Sequence, residues 1–392
     1  MNLPWPERAR VGPFRDGAFP SPLHDQRVAA ILGVALGVAF ATCFATGVVS
    51  HLIQHPPGWF TWPARPAGLY RITQGLHVAT GIAAVPLLLG KLWTVYPKLY
   101  AWPPVRNLSH ALERLSLLLL VGGALFMLFT GVANIDQWYP WPFFFPAGHY
   151  WGAWVTIGSL IVHVGAKAPV TRRALFGGTR LADLAADGHD GRGAGLTRRG
   201  FLGALAAAAG VLTLTTAGQT VAPLRRLTLL SPRRPGIGPQ GLPVNKSAGA
   251  AGVLDAAWDP AYHLEVAGAV DRPLRLSLGD LRSFPQHEAV LPIACVEGWS
   301  ASARWRGARL RDVLERAGAR SDAEVRVESL QPRGRYRASD VTHVHARDAD
   351  TLLALELNGE PLHIDHGYPV RLIGPNRPGV LQTKWLSRLT VT

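Results

Sequence analysis

The chain has 392 residues, a net charge of +14 and 48% hydrophobic residues, which is enough sequence for two or three domains. Its mean hydropathy of +0.13 averages two unlike parts, because long apolar runs precede about Gln219 and a mixed, charged sequence follows it. Partners among nucleic acids are not expected, since no basic stripe with interleaved aromatic residues occurs. Much of the positive charge instead flanks the apolar runs, as in membrane proteins.

The N-terminal part predicts an all-α membrane domain. Residues 1–26 are polar and Pro-rich and lack the layout of a cleaved signal peptide, so we interpret them as a cytoplasmic tail. Four later segments are each long enough to cross a bilayer, which takes about 20 apolar residues. The segments are residues 28–54, 72–96, 115–135 and 146–168. They predict a four-helix bundle at residues 27–170 in contact with membrane lipid.

The loop charges orient this bundle. Lys and Arg are frequent in the tail and in the loops after the second and fourth segments, whereas residues 134–147 contain none. By the positive-inside rule, the N-terminus is cytoplasmic in a multi-pass protein of a bacterial cytoplasmic membrane. Four crossings then return the chain to the cytoplasm at a Gly- and Asp-rich linker, residues 171–196.

A basic motif precedes a further apolar run. Residues 197–202 read Thr-Arg-Arg-Gly-Phe-Leu, and an Ala-rich stretch extends to Ala217. The motif resembles an internal twin-arginine export signal, and the alternative is an ordinary fifth helix with a basic cytoplasmic flank. Both interpretations take residues 197–220 across the membrane and place the rest on the extracytoplasmic side. Residues 221–243, rich in Pro, Arg and Gly, predict a tether.

Histidines at membrane depth mark a functional site by default, because they are costly there. His149 and His163 are 14 residues apart, which corresponds to about 21 Å and about four turns of one helix face. This spacing suits one axial ligand for each of two stacked haems, and imidazole is a ligand of haem iron. The pattern resembles the fourth helix of bacterial di-haem membrane cytochromes b.

The second ligand of each haem is less evident. We favour His77 as the partner of His149 and keep His51 as the alternative. His110 is the candidate partner of His163, although the charged residues that follow it favour a surface position. Fourteen residues after His77 stands Lys91, where the di-haem pattern has a histidine. The sequence thus predicts one haem b and leaves a second open; hydrogen bonding or quinone binding without haem is the alternative.

The C-terminal part, residues 244–392, predicts a β-rich α+β domain. Short alternating segments bounded by turn residues indicate strands, and two short amphipathic segments indicate helices. The predicted strands are residues 263–270, 324–329, 370–373 and 387–391, and the predicted helices are residues 278–282 and 310–317.

Cys295 stands in the most informative segment of this domain. Residues 291–300 read Leu-Pro-Ile-Ala-Cys-Val-Glu-Gly-Trp-Ser, and two further motifs follow in order at residues 353–372 and 384–386. Together they resemble the sulfite oxidase superfamily, in the form of the catalytic subunit of bacterial protein-methionine-sulfoxide reductases. The alternative for a lone cysteine is a buried structural residue. That interpretation applies to Cys43, which lies within an apolar helix.

The resemblance implies Mo-molybdopterin, in which a pterin dithiolene carries the metal and one soft protein ligand completes the site. A thiolate is such a ligand, and the metal deprotonates the thiol. Cys295 is therefore the predicted catalytic residue and molybdenum ligand. Arg371 and Lys384 are suited to the phosphate of the pterin. The resemblance places cofactor binding at Asn245, Ser329, His366, Arg371, Thr383 and Lys384.

The substrate is where the sequence departs from sulfite oxidases. Those enzymes follow the cysteine with a small residue, Gly, Asn and Arg, whereas Val-Glu-Gly-Trp-Ser follows here. Nearby candidates for an anion-binding arginine are Arg304, Arg306, Arg333, Arg335 and Arg337. We interpret the chain as a molybdopterin oxidoreductase coupled through haem b to quinone or another electron carrier, with a small-molecule or protein sulfoxide as the favoured substrate. The alternatives are a sulfite-type dehydrogenase and a cofactor-free binding domain on a membrane anchor.

Overall fold

A computed structural model describes residues 12–15, 17–177, 196–218 and 221–392. Most of the predicted cytoplasmic linker and the first eleven residues of the predicted tail lie outside the described residues. The chain divides into two compact units. The first unit comprises residues Met1–Val48 and Leu76–Thr216, and the second comprises Val49–Gly75 and Ala217–Thr392.

The N-terminal region is helical. Five of the described helices are long and apolar enough to cross a membrane, and the predicted apolar segments fall within the first four. The helices are α1 (Gln26–Gln54), α2 (Leu69–Val95), α3 (Leu108–Asp136), α4 (Phe145–Phe176) and α5 (Arg198–Ala217).

Helix α3 begins seven residues before the predicted segment. The side chain of Asn107 caps it by accepting a hydrogen bond from the backbone N–H of His110 at 2.9 Å. A cap of this kind satisfies one of the free N–H groups of the first turn. His110 thus lies in the first turn of α3, where its Nδ1 accepts from the N–H of Arg106 at 3.1 Å.

Small residues allow the helices of the first unit to approach closely, as is common where lipid removes the hydrophobic driving force. A Cβ on Gly123 would lie 2.5 Å from Thr156 Oγ1, so α3 meets α4 at this glycine. On α2, Gly90 leaves the space that Leu205 of α5 fills. Arg198, at the start of α5, lies 3.7 Å from the carboxylate of Asp25.

The C-terminal domain contains two five-stranded sheets and several short helices. The strands are β1 (His263–Gly268), β2 (Leu274–Ser277), β3 (Gln286–Ala294), β4 (Ser300–Arg309), β5 (Val325–Ser329), β6 (Ala338–Val341), β7 (Leu352–Leu357), β8 (Glu360–Pro361), β9 (Arg371–Ile373) and β10 (Leu386–Val391). The helices are α6 (Ala248–Ala251), α7 (Leu254–Trp258), α8 (Leu278–Ser283), α9 (Leu310–Ala317) and α10 (His343–Ala346).

The strand pairing places the motif of Cys295 beside the motif at residues 353–372. The first sheet has the order β2-β1-β10-β5-β6, with β1 parallel to β10. The second has the order β3-β4-β7-β8, and β9 pairs with β7. The β3–β4 hairpin was not among the predicted strands, because β4 alternates small and charged residues and so lacks the usual β-branched signature. In this second sheet, the segment of Cys295 joins β3 to β4.

Helix α9 secures the core of the domain. Its residues Leu310, Val313 and Leu314 are fully buried in a cluster that also contains strand residues of β1, β5 and β10. The predicted helix has the same bounds as the observed one.

We expect Leu314→Ala to lower the free energy of unfolding of this domain by about 2–5 kcal/mol, because the truncation leaves a cavity. Pulse proteolysis in urea on the full-length protein in detergent measures the change. Val290→Ala is the matched control, since Val290 is 68% exposed on β3. Equal effects of the two substitutions would contradict the packing described for α9.

Candidate functional site

Cys295 is held in a tight turn between β3 and β4. Its backbone N–H donates to the carbonyl of Trp299 at 2.9 Å, and the N–H of Gly298 donates back to the Cys295 carbonyl at 3.0 Å. Gly298 has a φ of 89°, a conformation that glycine adopts without steric cost. The turn leaves Cys295 2% exposed, so its thiol points into the domain.

The sulfur of Cys295 has polar neighbours. Asn245 donates from Nδ2 to Sγ at 2.8 Å and accepts at Oδ1 from Trp299 Nε1 at 3.1 Å. Burial raises the pKa of the Cys295 thiol, and the negative charge of Glu297 raises it further. A bound metal cation reverses this balance, because it deprotonates a coordinating thiol outright. Glu297 stands in the motif of Cys295, but no sequence pattern predicted it as a neighbour of the sulfur.

Two buried cations form the other part of the site. Arg371 on β9 donates from Nη1 to the His366 carbonyl at 3.1 Å, while its buried Nε has no hydrogen-bond partner among the described residues. Lys384 donates from Nζ to the carbonyls of Lys246 at 2.6 Å and Asp365 at 2.8 Å. Lys246 follows Asn245 in the chain, so one segment contacts both parts of the site.

These cations are strongly perturbed. Burial lowers the pKa of Arg371 to about 9. Burial and the charge of Arg371 lower the pKa of Lys384 to about 7. Buried charges are costly unless an opposite charge is present, and a guanidinium with a free N–H is suited to phosphate oxygens. The residues therefore fit an anionic group such as the phosphate of a pterin cofactor.

The remaining predicted cofactor residues differ in position. The His366 side chain is buried, with Nε2 2.7 Å from the Pro239 carbonyl, and burial together with the charge of Arg371 lowers its pKa to about 4. Ser329 donates to the carbonyl of Lys384 at 2.8 Å. The hydroxyl of Thr383 lies 2.7 Å from that of Ser339 on β6. The His366 carbonyl thus accepts from Arg371 and the Ser329 hydroxyl donates to the backbone of Lys384. Thr383 instead contacts Ser339 on β6.

The candidate arginines separate into two groups. Arg304 and Arg306 are exposed on β4 and lie 3.6 Å and 2.9 Å from the carboxylates of Glu288 and Glu356. They form surface ion pairs between neighbouring strands, and their role in substrate binding stays a prediction. Burial raises the pKa of Tyr336, and the charge of Cys295 raises it as well. Arg335 and Arg337 both flank Tyr336 in the sequence, and Arg335 is the one whose charge acts on the Tyr336 hydroxyl.

In the first unit, His77 and His149 lie together. Their ring centroids are 6.1 Å apart with planes at 69°, which leaves room for one metal ion with bonds of about 2 Å to each imidazole. His77 Nδ1 lies 2.9 Å from the Cys43 carbonyl, and His149 Nδ1 lies 2.9 Å from Thr130 Oγ1. Second partners of this kind orient metal-binding imidazoles, and they leave Nε2 of each ring for a metal.

Glycines stand beside both rings. A Cβ on Gly47 would lie 3.2 Å from His77 Cε1, and one on Gly131 would lie 3.5 Å from His149 Cε1. Bulkier side chains at these positions would crowd the rings. The pair His77 and His149 was favoured from the sequence, and the structure brings these two residues together.

The other candidate haem ligands have different neighbours. His51 stacks on His55 with ring centroids 4.7 Å apart. His163 lies within the electrostatic reach of Lys91, Lys167 and Glu113. The Lys91 ammonium donates to the carbonyl of Ala29, and Lys167 pairs with Glu113. A charged cluster therefore surrounds His163.

Comparison with known proteins is informative for the C-terminal domain. The family described as oxidoreductase molybdopterin binding domain matches residues 251–392. Mouse mitochondrial sulfite oxidase is 39% identical over 161 residues, which is 34% of this chain and 30% of that protein. An uncharacterized oxidoreductase, YuiH of Bacillus subtilis, is 35% identical over 135 residues, which is 33% of this chain and 65% of that protein. The chain thus spans about a third of the length of the sulfite oxidases that it matches.

A solved structure, the sulfane dehydrogenase SoxCD from Paracoccus pantotrophus, matches 40% of this chain and 43% of its own with 23% identity and a TM-score of 0.32. That score supports no conclusion about the fold. The family match and the sequence identities cover the domain in which Cys295, Arg371 and Lys384 lie.

We expect Lys384→Met to weaken cofactor retention about tenfold to a hundredfold, because a hydrogen bond to a charged group contributes about 1.5–3 kcal/mol. Molybdenum content after dialysis of the purified protein measures the effect. Arg388→Met is the control, since it removes a cation of the same domain whose partner is the exposed carboxylate of Glu265. Equal molybdenum retention in both variants would show that Lys384 does not hold the cofactor.

Proposed function

We propose that this chain, whose residues 251–392 are an oxidoreductase molybdopterin-binding domain of the sulfite oxidase family, is a membrane-bound oxidoreductase with Cys295 as its protein ligand to molybdenum. One observation carries the proposal. The buried Cys295 thiol accepts a hydrogen bond from Asn245, and buried Lys384 donates to the carbonyl of the next residue, Lys246. Arg371 is buried in the same domain, and its Nε–H has no hydrogen-bond partner among the described residues.

The residues have distinct roles in this proposal. Cys295 binds the metal, and Asn245 orients the sulfur by its hydrogen bond. Arg371 and Lys384 neutralise the phosphate, while the His366 carbonyl holds the guanidinium in place. When bound, the cofactor supplies the exchange of one oxygen atom and two electrons with a substrate, and the protein controls position and access.

The favoured reaction is reduction of a small-molecule or protein sulfoxide: R₂SO + 2H⁺ + 2e⁻ → R₂S + H₂O. The Cys-Val-Glu-Gly-Trp segment supports this direction by its resemblance to sulfoxide reductases. The second candidate is oxidation of sulfite, SO₃²⁻ + H₂O → SO₄²⁻ + 2H⁺ + 2e⁻. The names of the matched relatives support that candidate, and Arg335, whose charge acts on the Tyr336 hydroxyl, is the arginine that would then serve the anion.

A haem b between His77 and His149 is the proposed electron carrier to and from quinone. The 6.1 Å separation of the rings and the engaged Nδ1 atoms support it. For a second haem, His110 and His163 stay candidates by spacing, although His110 lies in the first turn of α3, where its Nδ1 accepts from the N–H of Arg106. Five apolar helices support a membrane location, and the loop charges support a cytoplasmic N-terminus with an extracytoplasmic catalytic domain.

Cys295→Ser is expected to abolish molybdenum-dependent turnover, because a hydroxyl is a poor replacement for a soft thiolate. Metal analysis of detergent-purified protein and assays with sulfoxides and with sulfite measure the outcome. Cys43→Ser is the matched control for molybdenum content, since Cys43 lies in α1, outside the C-terminal domain, and the substitution should leave that content unchanged. A wild-type protein without molybdenum would support the cofactor-free binding domain and remove the catalytic assignment.

His77→Ala is expected to remove the haem absorption band while molybdenum content stays at the wild-type level, because the two sites use different ligands. The optical spectrum of the reduced protein measures it. His51→Ala distinguishes the alternative ligand, and His55→Ala, which removes the ring stacked on His51, is the control. An unchanged spectrum in His77→Ala excludes that residue as a ligand.

A further inference from the structure

The loop between the first two membrane helices belongs to the same compact unit as the C-terminal domain. We name residues 55–75 the docking segment; it comprises this loop and the first turns of α2. The tether predicted at residues 221–243 is the other connection of that domain to the helical region. The contacts of the docking segment decide whether the tether is needed to keep the domain in place.

Asn376, in the loop after β9, is the centre of these contacts. Its Oδ1 accepts from the N–H of Tyr70 at 2.7 Å, and its Nδ2 donates to the carbonyl of Pro63 at 2.6 Å. Its backbone N–H donates to Ala67 at 3.1 Å, and its carbonyl accepts from Trp62 Nε1 at 3.0 Å. Asn376 is 2% exposed. All four hydrogen bonds therefore join this one residue to the docking segment.

Opposite charges add to the contact. Arg65 lies 2.9 Å from the carboxylate of Asp348 and 2.5 Å from that of Asp350. A second hydrogen bond from Arg65 Nε to Asp348 makes the first pair bidentate, a geometry that adds specificity. Because Arg65 is half exposed, we assign most of the attachment to Asn376 and the apolar contacts. This ion pair also explains why an arginine stands in a loop where the positive-inside rule predicts few cations.

The docking segment also reaches the residues on both sides of Cys295. Gln74 donates from Nε2 to the carbonyl of Val296 at 3.0 Å. Tyr70 packs with Ile53 and Ala294 in an apolar cluster. Since Ala294 and Val296 flank the cysteine, the first turns of α2 brace the turn that carries it.

We propose that the docking segment is a permanent non-covalent attachment of the C-terminal domain, independent of the tether, and that it braces the Cys295 turn. A Pro- and Gly-containing tether alone would leave the domain free to move within its reach. A buried polar network with satisfied partners fixes one arrangement. The surface of the domain around Asn376 is therefore covered by the chain's own loop. This attachment requires neither molybdenum nor haem.

Cutting the tether tests this proposal. A specific protease site is placed at Leu229 and Leu230, which are 67% and 58% exposed, in the full-length protein in detergent. After cleavage, the two fragments of the wild type are expected to co-elute in size-exclusion chromatography. With Asn376→Ala they are expected to separate, because the substitution removes both side-chain bonds and strains the left-handed backbone that positions the other two. Separation of the cut wild-type fragments would overturn the proposal.

Asn358→Ala is the matched control. Asn358 has the same left-handed φ of 53° as Asn376, so alanine costs similar backbone strain at both positions. Its side chain bonds to the backbone of Arg304 and Gln240 instead. The cut Asn358→Ala protein is expected to co-elute, and its separation would show that general destabilisation causes release.

A second variant covers the case in which Asn376→Ala does not fold. Trp62→Phe with Arg65→Ala changes only the docking segment, and removes the indole donor and the ion pair. Its cut fragments are expected to separate at a lower urea concentration than those of the wild type. An elution profile equal to that of the wild type at every urea concentration would contradict the role of these contacts.

Discussion

Burial of two cations is the constraint on which the candidate site depends. Arg371 and Lys384 are held inside a small domain by carbonyl acceptors, and burial lowers the pKa of both. Such an arrangement is costly without an anion, so the surrounding strands must fix it by packing. Arg371 lies on β9, which pairs with β7 in the sheet that also contains β3. The sheet whose β3–β4 hairpin holds Cys295 therefore also holds Arg371, so the proposed metal ligand and the proposed phosphate-binding cation share one framework.

Sequence patterns predicted the parts of this site that local motifs encode. Cys295, Arg371 and Lys384 stand in segments whose neighbours carry the resemblance, and strands such as β10 were placed within a residue of their observed bounds. The β3–β4 hairpin was missed because β4 consists mainly of small residues and arginines and contains no β-branched residue. Asn376 was also missed, since its partner Pro63 lies 313 residues earlier and no local pattern records a contact of that length.

The histidines of α2 and α4 show that contacts between helices are also hard to predict. The position of a residue along a helix can be deduced from the sequence, so His77 and His149 could be assigned to the same depth. Which face each helix turns toward its neighbours depends on packing at residues such as Gly47 and Gly131, which have no periodic signature. For this reason the environment of His163, among Lys91, Lys167 and Glu113, could not be deduced from its spacing to His149.

Joining an oxidoreductase domain to long apolar helices in one chain raises the local concentration of each part for the other, but a long flexible link alone leaves orientation undefined. The docking segment removes that freedom within the second unit, because Asn376 and the Cys295 turn are bonded to a loop that continues directly into α2. Gln74 and His77 are three residues apart on that one helix. The residue that bonds to the Cys295 turn and the proposed haem ligand therefore stand on one continuous helix, with no flexible link between them in the sequence.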